Sequence, residues 1–347
     1  MSLSSLSLVD PRPDNGLEAL FDGRNIARDQ ARALFSELVA GNLPEAIMAA
    51  AFVCLRLKGE TAEELTGAAL ALREAAQPFA RPAGIFADSC GTGGDGSGSI
   101  NVSTAAGLVA AACGLPVVKH GNRSITSRCG SADVLEALGA KLDLSAEKSR
   151  AIHDETGFCF LLAPLYHPGI AHAGPVRRAL KVRTIMNLLG PCLNPAQPAV
   201  QLLGVAEPQL MRPTADTLLA LGLDRGLVVH GSGLDEVAPH AETQAIRIAD
   251  GVLEELVLTP EQAGLERRPL DQIAGGCPED NAERLAALLH GRGTDGDVGV
   301  VALNAGALLW TAGIAPSFAE GVTQASDVML SGHAGQVLDQ FVEASNG

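Results

Sequence analysis

Aromatic residues are nearly missing from this chain: they make up 3% of its 347 residues, with one Trp and one Tyr. That scarcity argues against a β-sandwich, whose strands favour aromatic and β-branched side chains. Together with 39 glycines it fits a helix-rich α/β enzyme. Positive charge is also short, with 25 basic residues against 40 acidic and a formal net charge of −15. The phosphate field of a nucleic acid or an anionic membrane would repel most of such a surface, although a small basic pocket for a phosphorylated metabolite stays compatible with it. No two of the seven cysteines form a CxxC, so no zinc knuckle or thioredoxin motif is expected, and scattered thiols suit the cytoplasm. Met1 to Asp10 shows no basic start or apolar stretch of a signal peptide, and no apolar run approaches about 18 residues. What is present is 47% hydrophobic residues, enough for a large core in roughly two domains.

The periodicity divides the chain near residue 82. Ala31, Leu34, Phe35 and Leu38 mark one amphipathic helix, and Pro44 to Leu57 a second that is apolar almost all round. Thr61 with Glu64 forms a capping box for a third. We therefore expect a helical domain over 1–82, completed by a helical segment near 166–193. Over 83–347 short apolar runs alternate with helices, which predicts a doubly wound α/β domain around a mainly parallel sheet. Expected strands are Ile85–Ala87, Leu115–Val118, Phe158–Leu162, Gln201–Val205, Leu227–His230 and Val298–Leu303, and expected helices include Thr104–Cys113, Ala132–Leu138, Pro213–Leu221 and Ala305–Ala312.

The run from Cys90 to Thr104 follows the first strand and opens a helix of small residues. Its glycines let backbone N–H groups approach phosphate oxygens, and the helix N-terminus adds its dipole. Gly91, Gly93 and Gly96 match the dinucleotide fingerprint literally, yet the next strand leads to Lys119 instead of the acid that holds a ribose. A Walker A loop is excluded, because no Gly-Lys pair occurs anywhere. Lys119 and Arg123 add positive charge after the second strand, while His120 admits either a packed core role or a ligand contact. Ser131 is a good N-cap for the helix that follows. Asp235-Glu236 comes after Gly231-Ser232-Gly233, an irregular loop on which adjacent carboxylates can share a metal cluster. Arg177 offers a planar fork suited to a carboxylate.

Taken together, GTGGDG and NVST within 91–104, KHGNR at 119–123, GSADVLEALG at 130–139, RTIMNLLGPCLNP at 183–195 and LDE at 234–236 resemble the anthranilate phosphoribosyltransferase family. The resemblance runs from about Ala31 to the last helix. It implies attack of the anthranilate amine on C1 of phosphoribosyl pyrophosphate, with loss of pyrophosphate, in tryptophan biosynthesis. It implies that Gly91, Gly94, Asp95, Ser99, Asn101, Val102, Ser103 and Thr104 line the donor site. Lys119, His120, Gly121, Asn122, Arg123, Ser124, Ile125, Thr126, Ser127 and Ser131 would embrace its phosphates. Gly91, Asn122 and Arg177 would contact anthranilate. Two Mg²⁺ ions per subunit are implied, one at Ser103 and Glu236, the other at Asp235 and Glu236. A homodimer through the N-terminal helices is implied as well.

No dedicated general base stands out beyond His120 as a weak candidate, and a ribosyl transfer with oxocarbenium character relies mainly on positioning and leaving-group stabilisation. The sequence departs from the family pattern at Met186, where an aromatic is usual, at Cys192 and at Gly169, all expected near the acceptor pocket. Two other readings compete: a pyrimidine nucleoside phosphorylase-like enzyme, which shares several of these motifs, and a non-catalytic nucleic-acid-binding relative, which the charge opposes.

Overall fold

Alternate residues of the central strands enter two different cores, so both faces of the sheet are covered. Leu202, Leu227 and Val229 join one core, while Leu203, Val205 and Val228 join the other. The computed structural model describes residues 14–124 and 128–347. Among them β1 (Ala87–Gly91), β2 (Val117–Gly121), β3 (Phe158–Leu162), β4 (Val200–Gly204), β5 (Arg225–His230), β6 (Thr243–Ala249) and β7 (Val252–Leu258) form one sheet ordered β3-β2-β1-β4-β5-β6-β7. The first five strands pair in parallel, and β6 and β7 run antiparallel at one edge. The expected class, a small helical part preceding a mainly parallel α/β part, is the one observed.

The helices Arg28–Val39, Glu45–Lys58 and Ala62–Glu74 form a bundle at the N-terminal end. Thr61 caps the third as expected: its Oγ1 accepts the Glu64 N–H at 3.3 Å, and Glu64 Oε2 accepts the Thr61 N–H at 2.9 Å. The bundle shares one core with Ala173, Val176, Ile185 and Leu189 of the 166–193 segment and with one face of the sheet. Met186 and Cys192 are buried there, and a Cβ on Gly169 would come within 2.7 Å of the Val39 carbonyl. Glycine at 169 is thus required by the close approach of the first bundle helix.

The strands differ from the expectation in three ways. Val298–Leu303 is not a strand, because Asp295–Ala312 is one continuous helix buried on nearly every side. Periodicity vanishes in a helix packed all round, and the apolar run then imitates a buried strand. The hairpin of β6 and β7 was not anticipated, although its turn residues Asp250 and Gly251 both take positive φ, the pattern of a two-residue hairpin turn. Finally, β1 and β2 lie later than expected, so Cys90, Gly91 and Lys119 to Gly121 are strand residues and not loop residues.

Candidate active site

β1 and β4 are sheet neighbours but not consecutive, so the chain leaves them in opposite senses and opens a crevice at their C-terminal ends. The glycine-rich loop emerges from β1 at this point. Across it lies the loop after β5, held so close that a Cβ on Gly91 would overlap the Asp235 carboxylate and one on Gly204 the Asp235 carbonyl. The Gly93 N–H donates to Asp235 Oδ2 at 2.7 Å, and Asp95 presses on the same carboxylate. Burial, then the Asp95 charge, pushes the Asp235 carboxyl up to about 7. Burial and the neighbouring Asp235 push Glu236 well above its ordinary value, although the Lys119 ammonium and the Ser103 N–H oppose the rise.

Lys119 is 2% exposed, and its ammonium donates inward to the Ser89 carbonyl and to Ser103 Oγ at 3.2 Å. It is therefore a buried counter-charge beneath the crevice, not the loop lysine its position after an apolar run suggests. Asp88 lies beside it, raised by burial and lowered by Lys119, and accepts from Asn194 Nδ2 at 2.9 Å. That same amide nitrogen donates to the Val118 carbonyl at 2.7 Å, so the end of the RTIMNLLGPCLNP stretch pins β1 to β2.

The remaining residues divide by accessibility. Ser99 and Asn101 are half-buried at the crevice, with Gly94 exposed beside them, while the side chains of Val102 and Thr104 are buried. Only the backbone of those two can face a ligand. Asn101 Nδ2 donates to the Cys129 carbonyl at 3.2 Å. His120 is buried, its ring packed edge-on against His167 with centroids 5.2 Å apart. Burial, then His167, takes its pKa down to about 3, which makes it a poor proton acceptor. Gly121 is needed because a Cβ would meet Ser131 Oγ at 2.5 Å.

Asn122 accepts from Ser131 Oγ at 3.2 Å through its carbonyl, and Ser124 N–H donates to Asp133 at 2.9 Å. Ser131 is the first residue of the helix Ser131–Ala137, not its cap; Gly130 holds that position and its N–H donates to Asp133 at 2.8 Å. Arg123 pairs with Glu136 at the surface, Nε to Oε2 at 3.1 Å. Ile125, Thr126 and Ser127 lie outside the described residues.

Arg177 stands on the helix Gly174–Leu180, partly buried, and burial pulls its pKa below the ordinary value. Among the described residues its guanidinium has no hydrogen-bond or ion-pair partner, whereas a partly buried arginine is normally paired. The segment carrying it starts at His167, against His120 at the end of β2. Sequence reasoning did not single out Asn304, which is fully buried on the helix Asp295–Ala312. It accepts the Val237 N–H at 2.9 Å and donates to the Val237 carbonyl at 3.1 Å, fixing the backbone next to Glu236. A lone asparagine in the apolar run LNAGALL was the one available signal. A groove of about 510 Å³ near Ile85, Asp224 and Arg225 lies at the opposite end of the strands and collects none of these groups.

The fold and the crevice are those of a two-part glycosyl transferase. Residues 83–335 match the α/β domain of the glycosyl transferase family, and residues 16–76 match its helical bundle domain. The anthranilate phosphoribosyltransferase of Sorangium cellulosum is 54% identical over 95% of this chain and 94% of its own. The crystal structure of the Thermus thermophilus anthranilate phosphoribosyltransferase superposes with a TM-score of 0.92 at 42% identity, covering 96% of this chain and all of that one. A yeast anthranilate phosphoribosyltransferase in complex with PRPP and Mg shares the fold at a TM-score of 0.87 and 24% identity, over 96% of this chain and 99% of that one. The chain belongs to the anthranilate phosphoribosyltransferase family.

Proposed function

We propose that the protein transfers the phosphoribosyl group of phosphoribosyl pyrophosphate to the amine of anthranilate. The products are N-(5-phosphoribosyl)anthranilate and pyrophosphate, in tryptophan biosynthesis. The observation that carries this reading is the meeting of two unlike groups at one crevice. A glycine-rich loop and the N-terminus of the helix Val102–Ala112 face the carboxylates of Asp235 and Glu236. Backbone N–H groups suit the donor's phosphates. The acids suit hard divalent cations with oxygen ligands.

Asp95, Asp235 and Glu236 crowd one another, with the one buried ammonium of Lys119 acting on Glu236, so the site is short of positive charge and fits Mg²⁺. Among the described residues no three His, Cys, Asp or Glu side chains form a metal-holding group, and a bound Mg²⁺ would take further oxygen ligands from the donor or from water. Ser103, Asp235 and Glu236 would hold two ions per subunit. Bound there, they would balance the charge that develops on departing pyrophosphate. The chain's own residues do the remainder. The glycine-rich loop orients the donor, and Arg177 grips the anthranilate carboxylate so that the weak aryl amine meets C1. His120, held neutral and weakly basic, is a poor base, and the reading assigns no dedicated one.

The domain division at residues 82/83, the donor and acceptor roles above, work in the cytoplasm and assembly as a homodimer through the N-terminal helices complete the proposal. No helix among the described residues is long and apolar enough to cross a membrane. Leu57 is 80% exposed on the second bundle helix, and Val182 is also exposed in the segment that Arg56 ties to this helix by donating to the Arg183 carbonyl at 2.6 Å. An apolar surface of this kind supports a subunit contact. The test of function is direct. Anthranilate fluorescence should decay with phosphoribosyl pyrophosphate and Mg²⁺ together, and persist when either is withheld. Decay independent of the donor would sink the reading.

A further inference from the structure

We propose that Asn281, on the helix Pro278–Ala287, is a positioning residue of the donor site, setting the orientation of the Asn101 amide and thereby joining the glycine-rich loop to the loop that carries Cys129 to Ser131. This rests on the donor reading above. Asn281 is 1% exposed, far too buried to touch a substrate. Its Nδ2 donates to Asn101 Oδ1 at 3.0 Å, and its Oδ1 accepts the Gly276 N–H at 2.8 Å. Asn101 Nδ2 then donates to the Cys129 carbonyl at 3.2 Å, and Cys129 Sγ donates back to Asn101 Oδ1 at 3.4 Å.

An amide carries its acceptor on one side and its donors on the other. The donor of Asn281 therefore decides which way Asn101 faces. Turned over, Asn101 would oppose N–H to N–H at Asn281 and oxygen to oxygen at Cys129, two repulsive contacts in place of two bonds. The chain on which Asn281 rests is itself fastened to the glycine-rich loop: Gly275 N–H donates to the Gly98 carbonyl at 2.7 Å, and Ile100 N–H to the Ile273 carbonyl at 2.9 Å. Arg284 braces that segment, donating to the Gln272 carbonyl at 3.0 Å while paired with the buried Asp297 at 2.6 Å. Segments near residues 100, 129 and 276 thus converge on the Asn101–Asn281 amide pair, and each bond made by the Asn281 amide ends on a wall of the crevice or on the turn behind it.

Asn281→Asp tests this with almost no change of shape. It keeps an acceptor for Gly276 and turns the donor facing Asn101 into a carboxylate oxygen. The KM for phosphoribosyl pyrophosphate should rise about ten- to a hundredfold, the cost of a misplaced buried hydrogen bond, while the KM for anthranilate stays within about twofold. In the unliganded protein, hydrogen–deuterium exchange should quicken in peptides spanning 99–104 and 128–135 and stay unchanged over 317–346. Asn281→Ser, short enough to admit a bridging water, should fall between Asp and wild type. Three results overturn the proposal: an unchanged donor KM, equal damage to both substrates with loss of folded protein, or failure of both variants to fold. If wild type does not consume anthranilate and donor, the functional reading fails by itself. The exchange comparison then still judges the clip.

Discussion

The Gly93 N–H donates to Asp235 Oδ2 over 2.7 Å, a single bond joining segments 142 residues apart at the mouth of the sheet. It places a carboxylate where the proposed anionic donor would bind, an arrangement that makes sense only with compensating positive charge. Replacing Asp235 with Asn and Glu236 with Gln keeps the volumes and removes the crowding that raises both pKa values. Turnover should collapse while the melting temperature holds or rises. Near-normal turnover at ordinary Mg²⁺ would show the acids to be decorative.

Arg177→Ala should weaken anthranilate use by about ten- to a hundredfold, from a lost charge-assisted contact of on the order of 1.5–3 kcal/mol, and leave donor affinity nearly unchanged. Arg177→Lys should recover only part, because a point charge cannot replace the bidentate fork. Steady-state kinetics with each substrate varied decides. Equal damage to both substrates, with a lowered melting temperature, places Arg177 outside the acceptor site.

At Gly91 the Asp235 carboxylate occupies the space of a Cβ. Gly91→Ala should therefore displace the acid loop and reduce kcat/KM by more than about tenfold, since a small misplacement at a reacting centre is costly. Gly93→Ala tests another cause, the positive φ of 66° in open space. It should cost about 1 kcal/mol of strain without a clash. Equal activity in both variants would remove the steric argument.

Buried His120 is depressed to about 3 by burial and by His167. Unfolded, it binds a proton near 6.5, so the unfolded state holds more protons between those values and stability falls as pH drops through 6.5. Between pH 7 and 5 wild type should lose on the order of 1–2 kcal/mol more than His120→Gln. Denaturant melts at the two pH values give the comparison, and parallel losses would show that His120 is not buried neutral.

Sedimentation at micromolar concentration should give a dimer, and Leu57→Asp should shift it toward monomer, because the charge would enter an apolar contact. A monomeric wild type removes the proposed interface.

How far the sequence reaches is clearest residue by residue. The capping box at Thr61 and the alternation of apolar runs with helices are local, and both were recognisable from spacing. So was the glycine-rich loop, since backbone approaching a charged group needs glycine whatever surrounds it. Local pattern failed at Val298–Leu303, where burial on all sides erased the period that marks a helix. It also missed the hairpin at Asp250-Gly251, whose turn signal was present but not used.

Length, charge deficit, strand–helix alternation and the chemistry of each loop were determined by the sequence alone, because they depend on residue type and near neighbours. Which groups meet was decided by the tertiary structure. Lys119 looked like a loop cation and became a buried counter-charge once β1 and the helix beginning at Val102 closed over it. Asn304 and Asn281 carried no motif, yet one fixes Val237 and the other turns Asn101. An asparagine amide has no fixed role of its own: the group placed opposite its donor and acceptor decides what it does, and only the fold supplies that group.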